Sequence, residues 1–419
     1  MARRKIHTEI IVGLDVGSTA VRVAVGQLTT SRESVPELQL IGAAEVPSEG
    51  IQKGQIGSIE DAVSSVSSAL EHAEKIVGLP IEHVWVGVSG TQIIAQESKG
   101  IIAVSRANSE ITEEDIERAV EAAKNIATPL NYEILHVLPR SYSVDTQSGI
   151  KDPVGMTGMR LEVDTKIIHS VSSHIKNLSK VVYRAGVDID DFVLSIFAAG
   201  EVVATPRQKE LGCVIINIGG PTTSIVVYED GDVIHSSVIP IGSSHITNDL
   251  ALGLRTSIDI AEKVKCEYGE CVSKKLNKKD TIDLFESGSA SSEIVSRYYI
   301  AQIIEARVTE ILEKVDDELS SIGRSRMLPA GALFVGGGSK IQGLIDCAKE
   351  VLALPSQIGY PLSIESITDK VNDIAFVPAV GLVKWGSAFA QSPGKRVSSS
   401  DIAGKTFEKI RSIFKNFVP

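Results

Sequence analysis

Apolar residues open the chain in three runs, 9–16, 20–28 and 37–46, separated by links rich in Gly and Ser. Their length, β-branched content and punctuation predict a meander of three strands. From Ser58 the period changes: Ile59, Val63, Val66, Leu70, Ala73 and Val77 recur at helical spacing, and Gly78-Leu79-Pro80 ends the helix. A strand is predicted at 83–88. Residues 89–162 break this pattern and read as an inserted module. It has a strand near 100–104, a helix N-capped by Thr112 with an apolar stripe of Ile116, Val120, Ala123 and Ala127, a strand region at 132–145, and a surface connection over 149–158. The main pattern is predicted to return at 161–170, followed by a helix at 173–185 and a strand at 192–197.

The opening meander then repeats at 213–218, 223–228 and 232–239. A helical region with an insertion spans 243–285, a long helix runs over 291–320, and a strand at 332–335 leads into a helix at 340–352. In both meanders the first strand breaks at glycine and hydroxyl residues, Asp15-Val16-Gly17-Ser18-Thr19 and Asn217-Ile218-Gly219-Gly220-Pro221-Thr222-Thr223. Missing Cβ atoms let a ligand approach the backbone there, where N–H groups and hydroxyls converge on an anion. Taken singly, each is an ordinary hairpin turn; as a pair they read as two copies of one phosphate grip. A third glycine turn, Gly336, Gly337, Gly338 and Ser339, joins a strand to a helix and places bare backbone at a helix start.

Composition narrows the function classes. A 419-residue chain holds at least two cores, and a net charge of −11 with 5% aromatic residues argues against a nucleic-acid partner. Cys213, Cys266, Cys271 and Cys347 lack zinc-site spacing and read as reduced thiols. The basic start, Met1 to Lys5, is not followed by a signal-peptide core, because Asp15 interrupts the apolar stretch, and no apolar run reaches membrane-spanning length.

Residues 391–402 are rich in Ser, Pro and Gly and read as a flexible linker. Beyond it, Phe407, Ile410, Ile413, Phe414 and Phe417 share one sector of a helix flanked by Lys409 and Arg411. From Gln391 onward the charge is +4, against −15 for the rest of a chain whose total is −11. This layout predicts an amphipathic helix lying in the plane of an anionic membrane surface, with docking on the protein body as its alternative.

Two phosphate hairpins and a glycine strand-to-helix turn, in this order, resemble the superfamily of actin, the heat-shock chaperone ATPases and the sugar kinases. Within it the chain is similar, over nearly its whole length, to the bacterial cell-division actin homologues of the FtsA family. The stretches that carry this are Gly13 to Thr19, Gly149-Ile150-Lys151-Asp152-Pro153-Val154-Gly155-Met156, Ile239-Pro240-Ile241-Gly242, Val335 to Ser339, and Pro378-Ala379-Val380-Gly381-Leu382.

The resemblance implies an α/β, actin-like two-half ATPase fold with an inserted FtsA-type subdomain and a C-terminal amphipathic helix. Residues 1–88 and 163–197 would form the first core subdomain and 89–162 the insert. Residues 198–235 and 301–390 would form the second core, 236–300 its small subdomain, 391–402 the linker and 403–419 the membrane helix. It implies ATP and Mg²⁺ as cofactors: Asp15, Gly17, Ser18 and Thr19 in the first phosphate loop, Asn217, Gly219, Gly220, Thr222 and Thr223 in the second, and Gly336 to Ser339 facing adenine and ribose. Asp15 and Asn217 would meet the metal through water. Glu262 and Lys265, one helical turn apart, match the family's ribose-contacting helix; by spacing alone they are a solvated ion pair. It further implies polymerisation, tethering of the tubulin-like division protein FtsZ, recruitment of later division proteins, and a peripheral position on the cytoplasmic face of the inner membrane at the division site.

Against the superfamily pattern, Asn217 replaces an Asp, Pro221 a glycine, Ser224 an acidic residue and Ala20 a Lys, with Arg22 two positions on. A neutral amide supplies no charge to a metal and no general base, and proline donates no N–H. The expectation is ATP binding with slow or absent hydrolysis. A pilus-assembly actin homologue and a sugar or acid kinase of the same superfamily remain as alternatives.

Overall fold

The computed structural model describes residues 7–30, 36–105, 109–289, 292–362 and 364–390. The expected linker and amphipathic tail, 391–419, lie outside the described residues, as does the basic start.

The opening apolar runs form the strands His7–Val16, Ala20–Thr30 and Glu37–Pro47, an antiparallel meander. His83–Val88 and Asp188–Leu194 add in parallel beside the first strand. In the second half Cys213–Ile218, Thr223–Glu229 and Asp232–Ile239 repeat the meander, and Gly331–Val335 and Ser356–Ile358 add in parallel. The two sheets thus share one strand order, and each has its glycine hairpin between the first two strands of the meander. A short strand, Glu365–Ser366, returns from the second half to pair with Glu37–Pro47 and widens the first sheet to six strands.

The helix Ile59–Val77 begins at Ser58, whose side chain accepts the Asp61 N–H, and stops at Gly78 with φ of 70°. Its apolar stripe, Ala62, Val66, Ala69, Leu70 and Ala73, is buried on the first sheet. Two helices fasten the halves together, Ser195–Val203 and Val377–Ala390, both apolar nearly all round and buried. One core runs through them from the first sheet into Ile215, Val226 and Leu333 of the second. A separate core lies on the other face of the second sheet, beneath the helix Arg297–Ser321.

The insert has its own core. Its four-stranded sheet runs in the order Ile93–Ala103, Arg160–Val171, Tyr132–Val144, Gln147–Ile150, with the helix Glu113–Ala127 on one face. Packing is close: a Cβ on Gly100 would lie 1.8 Å from the Ala119 carbonyl oxygen.

Several sequence expectations shift. The strand expected to resume the main sheet at 161–170 is the insert's own, paired on both sides within it. Alternation of Leu161, Val163, Thr165 and Ile167 specifies a buried face but not which sheet supplies it. The connection at 149–158 contributes the short strand Gln147–Ile150. The strand expected at 192–197 ends at Leu194, and Ser195 starts a helix; a short run that is apolar except for Ser195 does not distinguish the two by period. The helix expected at 340–352 is a 3₁₀ turn, Gly337–Lys340, followed by the α-helix Leu344–Leu352.

The insert meets the main body at His136, whose Nε2 accepts the Leu194 N–H at 2.9 Å and whose ring packs 5.3 Å from Phe197 and 5.7 Å from Trp385. Burial pulls His136, and likewise His174, down to a pKa of about 4. Unfolded, these imidazoles take up protons near 6.5. The unfolded state therefore binds more protons between about pH 6.5 and 4, so stability falls as pH drops through that window and is indifferent to both groups above it. At pH 5 the expected loss is about 2 kcal/mol per residue. Urea midpoints measured from pH 7.5 to 5 should fall, and less steeply in His136→Gln. An equally steep fall in that variant would contradict the assignment.

Candidate functional site

The two hairpins face each other across the cleft between the sheets. A Cβ on Gly220 would lie 2.4 Å from Thr19 Cγ2, so glycine at 220 lets the second loop approach the first with the Thr19 side chain in this rotamer. The N–H groups of Ser18, Thr19, Gly220 and Thr222 have no acceptor among the described residues. Unpaired donors gathered at two opposed turns are an arrangement that suits an anionic ligand. Gly219 spends its N–H on the Thr222 carbonyl at 2.9 Å. Pro221 has none to offer.

The remaining predicted residues converge on the same place from the second half. The helix Ser243–Leu254 holds the second loop from behind: Ser243 N–H donates to the Gly219 carbonyl at 2.9 Å and Ser244 N–H to that of Gly220 at 2.8 Å. The third glycine turn packs against both. Gly336, with φ of 87°, leaves room for Asn217 Oδ1, which a Cβ would approach to 2.1 Å. Gly338 lies against Ile218 and Ser243, with 2.5 Å from its would-be Cβ to Ile218 Cγ2. Gly337 is exposed and nothing lies within 4 Å of its Cβ direction, so it faces open space. Ser339 is buried and donates to the Val335 carbonyl at 2.6 Å, which ties the turn rather than a ligand.

Lys265 and Glu262, on the helix Ile258–Tyr268, are not a solvated pair. Lys265 is buried; its Nζ donates to Glu262 Oε2 at 2.6 Å and to Thr247 Oγ1 at 2.9 Å, and reaches the Ser243 carbonyl at 3.5 Å. Partial burial raises the Glu262 pKa, but hydrogen bonds from Lys265 and Thr247 outweigh it and hold the carboxyl below its usual range. The pair thus braces the helix that carries the second loop, with Glu262 half-exposed. Thr223 is fully buried and its hydroxyl donates to the Ile241 carbonyl at 2.8 Å, so this predicted ligand's side chain is already committed.

Asp15 is the one carboxylate at the loop positions. Burial pushes its carboxyl up, against the nearby positive charge of Arg22 and a hydrogen bond from Ser195 Oγ at 3.1 Å. Arg22 itself is largely buried, bonds Glu45 at 2.5 Å and stacks 5.8 Å over the Phe376 ring. Asn217 and Ser224, cross-strand neighbours, are neutral. Among the described residues no group of three or more His, Cys, Asp or Glu gathers to hold a metal by itself. This donor set fits a magnesium ion held chiefly by phosphates and water, with Asp15 and Asn217 outside it.

Sequence reasoning missed Ser195, Ser243 and Ser244. Ser195 meets Asp15 from 180 positions away. The two serines follow the motif Ile239 to Gly242 directly, and their position after a glycine at a helix start was the available signal.

Comparison with known proteins gives the same reading of fold and insert. The family profile described as cell division protein FtsA matches residues 214–381, and that of the SHS2 domain inserted in FTSA matches residues 90–169. The chain is 34% identical to the cell division protein FtsA of Pseudomonas aeruginosa over 94% of its own length and 92% of that protein. It is 36% identical to that of Bacillus subtilis, over 93% and 86%, and 32% identical to that of Escherichia coli, over 90% of each. Among solved structures, a PilM-PilN type IV pilus biogenesis complex aligns with a TM-score of 0.64 at 15% identity, over 90% of this chain and 98% of that one. MreB5 of Spiroplasma citri bound to ADP aligns with a TM-score of 0.53 at 14% identity, over 91% and 97%. These share the actin-like fold. Whole-length identity above 30% to division proteins, together with the matched insert, places the chain in the FtsA family, and it is a cell-division actin homologue.

Proposed function

We propose that this chain binds ATP with Mg²⁺ between its halves, polymerises head to tail, and tethers FtsZ to the cytoplasmic face of the inner membrane at the division site, where it recruits later division proteins. The observation that carries the nucleotide reading is the contact of Gly220 with Thr19, which sets free N–H groups of both hairpins around one space. The fold relatives from Spiroplasma citri are described as bound to ADP and to AMPPNP, which supports the same cleft. Asp15 and Asn217 would hold the metal through water, and the metal would neutralise charge on the phosphates. With Asn217 and Ser224 neutral, no side chain at the second loop serves as a general base, so the cleft holds nucleotide and hydrolyses it slowly or not at all. Bound nucleotide bridges the halves and favours the closed arrangement by its higher affinity for it.

Membrane attachment rests on the tail. No helix among the described residues is long and apolar enough to cross a membrane. By their helical spacing in the sequence, Phe407, Ile410, Ile413, Phe414 and Phe417, flanked by Lys409 and Arg411, would supply an in-plane anchor. A single short helix binds reversibly, and a polymer multiplies it. For the partner, a groove at the junction of the expected small subdomain and second core lies between the helices Ser243–Leu254 and Arg297–Ser321, lined by Leu252, Tyr299 and Ile303 with Asp249, Arg307 and Glu310 at its side. Exposed apolar residues beside charged ones suit a short peptide.

Reconstitution tests the reading. Vesicles containing anionic lipid, incubated with the full chain, ATP and FtsZ, are expected to bind FtsZ, and deletion of residues 403–419 to abolish that binding. Undiminished recruitment by the truncated chain would overturn the anchor.

A further inference from the structure

The first phosphate loop has no cation of its own. Ala20 is buried where the superfamily pattern places a Lys, and the positive groups nearest the cleft are engaged: Arg22 by Glu45 at 2.5 Å, Lys265 by Glu262 at 2.6 Å, and Lys340 by Asp373 at 2.7 Å. A phosphate chain gripped by N–H groups alone would leave several negative charges with little compensation.

One segment folds over this loop. After the strand Glu37–Pro47, Ser48 N–H donates to the Thr19 carbonyl at 3.1 Å, and the chain then makes the tight hairpin Ile51–Gln52 and Gln55–Ile56. At its tip Gly54 N–H donates to Ser18 Oγ at 2.8 Å. The residue before Gly54 is Lys53. Its Cα is about 2.4 Å from the Gly54 nitrogen by covalent geometry, hence within about 5 Å of Ser18 Oγ. A lysine stem reaches about 6 Å, so its ammonium can arrive at any ligand atom that touches Ser18.

Two further features mark the position. Lys53 has φ of 50°, a left-handed conformation that an L-residue other than glycine adopts at a cost, and the Ser18 bond fixes the hairpin that imposes it. Its side chain is exposed, and no carboxylate among the described residues lies within 4 Å of its ammonium. Close packing fixes the tip as well: a Cβ on Gly54 would lie 2.7 Å from the Ser89 carbonyl and 2.8 Å from Gly90 Cα.

We infer that Lys53 is the cation of the first phosphate loop, delivered from the hairpin tip onto the phosphates of a nucleoside polyphosphate. This rests on the nucleotide reading of the cleft, and the positively charged side chain offsets the residues that Ala20 and Asn217 replace. Lys53→Met keeps the stem and removes the charge; Lys53→Arg keeps the charge. By calorimetry, Lys53→Met is expected to weaken ATP binding at least tenfold while leaving adenosine affinity and thermal midpoint unchanged, and Lys53→Arg to stay within about threefold of wild type for ATP. A wild-type chain that binds no ATP overturns the nucleotide reading and this inference with it. A wild type that binds ATP no more tightly than Lys53→Met overturns the inference alone, as does equal loss of ATP and adenosine.

Discussion

Gly381→Ala is expected to destabilise the chain by about 3 kcal/mol, the upper end of overpacking costs, because the new Cβ would lie 2.1 Å from the Ala198 carbonyl oxygen and 2.3 Å from its carbon. These are backbone atoms of a buried helix and cannot rotate away. Helix propensity works the other way, since alanine is favoured over glycine by about 1 kcal/mol, but the clash is larger. The consequence reaches beyond local packing. Gly381 sits where Val377–Ala390 crosses Ser195–Val203, and Ser195, at the start of that second helix, bonds Asp15. Separating the helices therefore loosens the joint between the halves and the floor of the cleft together. A urea midpoint falling by the corresponding amount, with weaker nucleotide binding, is the expected result. Gly337→Ala is the control: nothing lies within 4 Å of its Cβ, so stability should stay within about 0.5 kcal/mol. An unchanged midpoint for Gly381→Ala would mean that the two helices do not cross as closely as described.

Much of this architecture was legible in the sequence because its signals are local. The repeated meanders are written in short β-branched runs, and the hairpins in glycine beside hydroxyl residues, so both sheets and both loops could be placed from order alone. What could not be read depends on partners far away in the chain. Alternation in Arg160–Val171 specifies a strand with one buried face, and only tertiary pairing decides that it joins Ile93–Ala103 and Tyr132–Val144. The residues that follow Ser195 are apolar whether they form strand or helix. Lys265 and Glu262 at a spacing of three are a surface pair on an isolated helix; packing against Ser243–Leu254 buries the lysine and turns the pair into a brace. Thr223 carries a hydroxyl suited to an anion, and the fold spends that hydroxyl on Ile241. The chemistry lost at Asn217 and Ser224, by contrast, is a matter of residue type and was readable at once.

Gly220→Ala is the sharpest probe of the cleft itself. The added methyl would stand 2.4 Å from Thr19 Cγ2 and 2.9 Å from Ser244 Oγ. The second contact is relieved by rotation of a hydroxyl; the first is between two methyl groups on opposed loops and is relieved either by turning Thr19 about χ1, which takes its hydroxyl out of place, or by drawing the loops apart. A separation of about 1 Å takes N–H donors on one side out of hydrogen-bonding range of phosphates held by the other. With each charge-assisted bond contributing about 1.5–3 kcal/mol, loss of one lowers ATP affinity by roughly 10- to 150-fold. Because the clash is specific, it has a specific remedy. Thr19→Ser removes Cγ2 and keeps the hydroxyl, so the double variant is expected to recover most of the lost affinity while Thr19→Ser alone changes little. A coupling of 1 kcal/mol or more in this cycle would be measured by titration of ATP into the four proteins. If the double variant binds as poorly as Gly220→Ala, the two loops do not close on a shared ligand through this contact, and the grip attributed to the paired hairpins belongs to each loop separately.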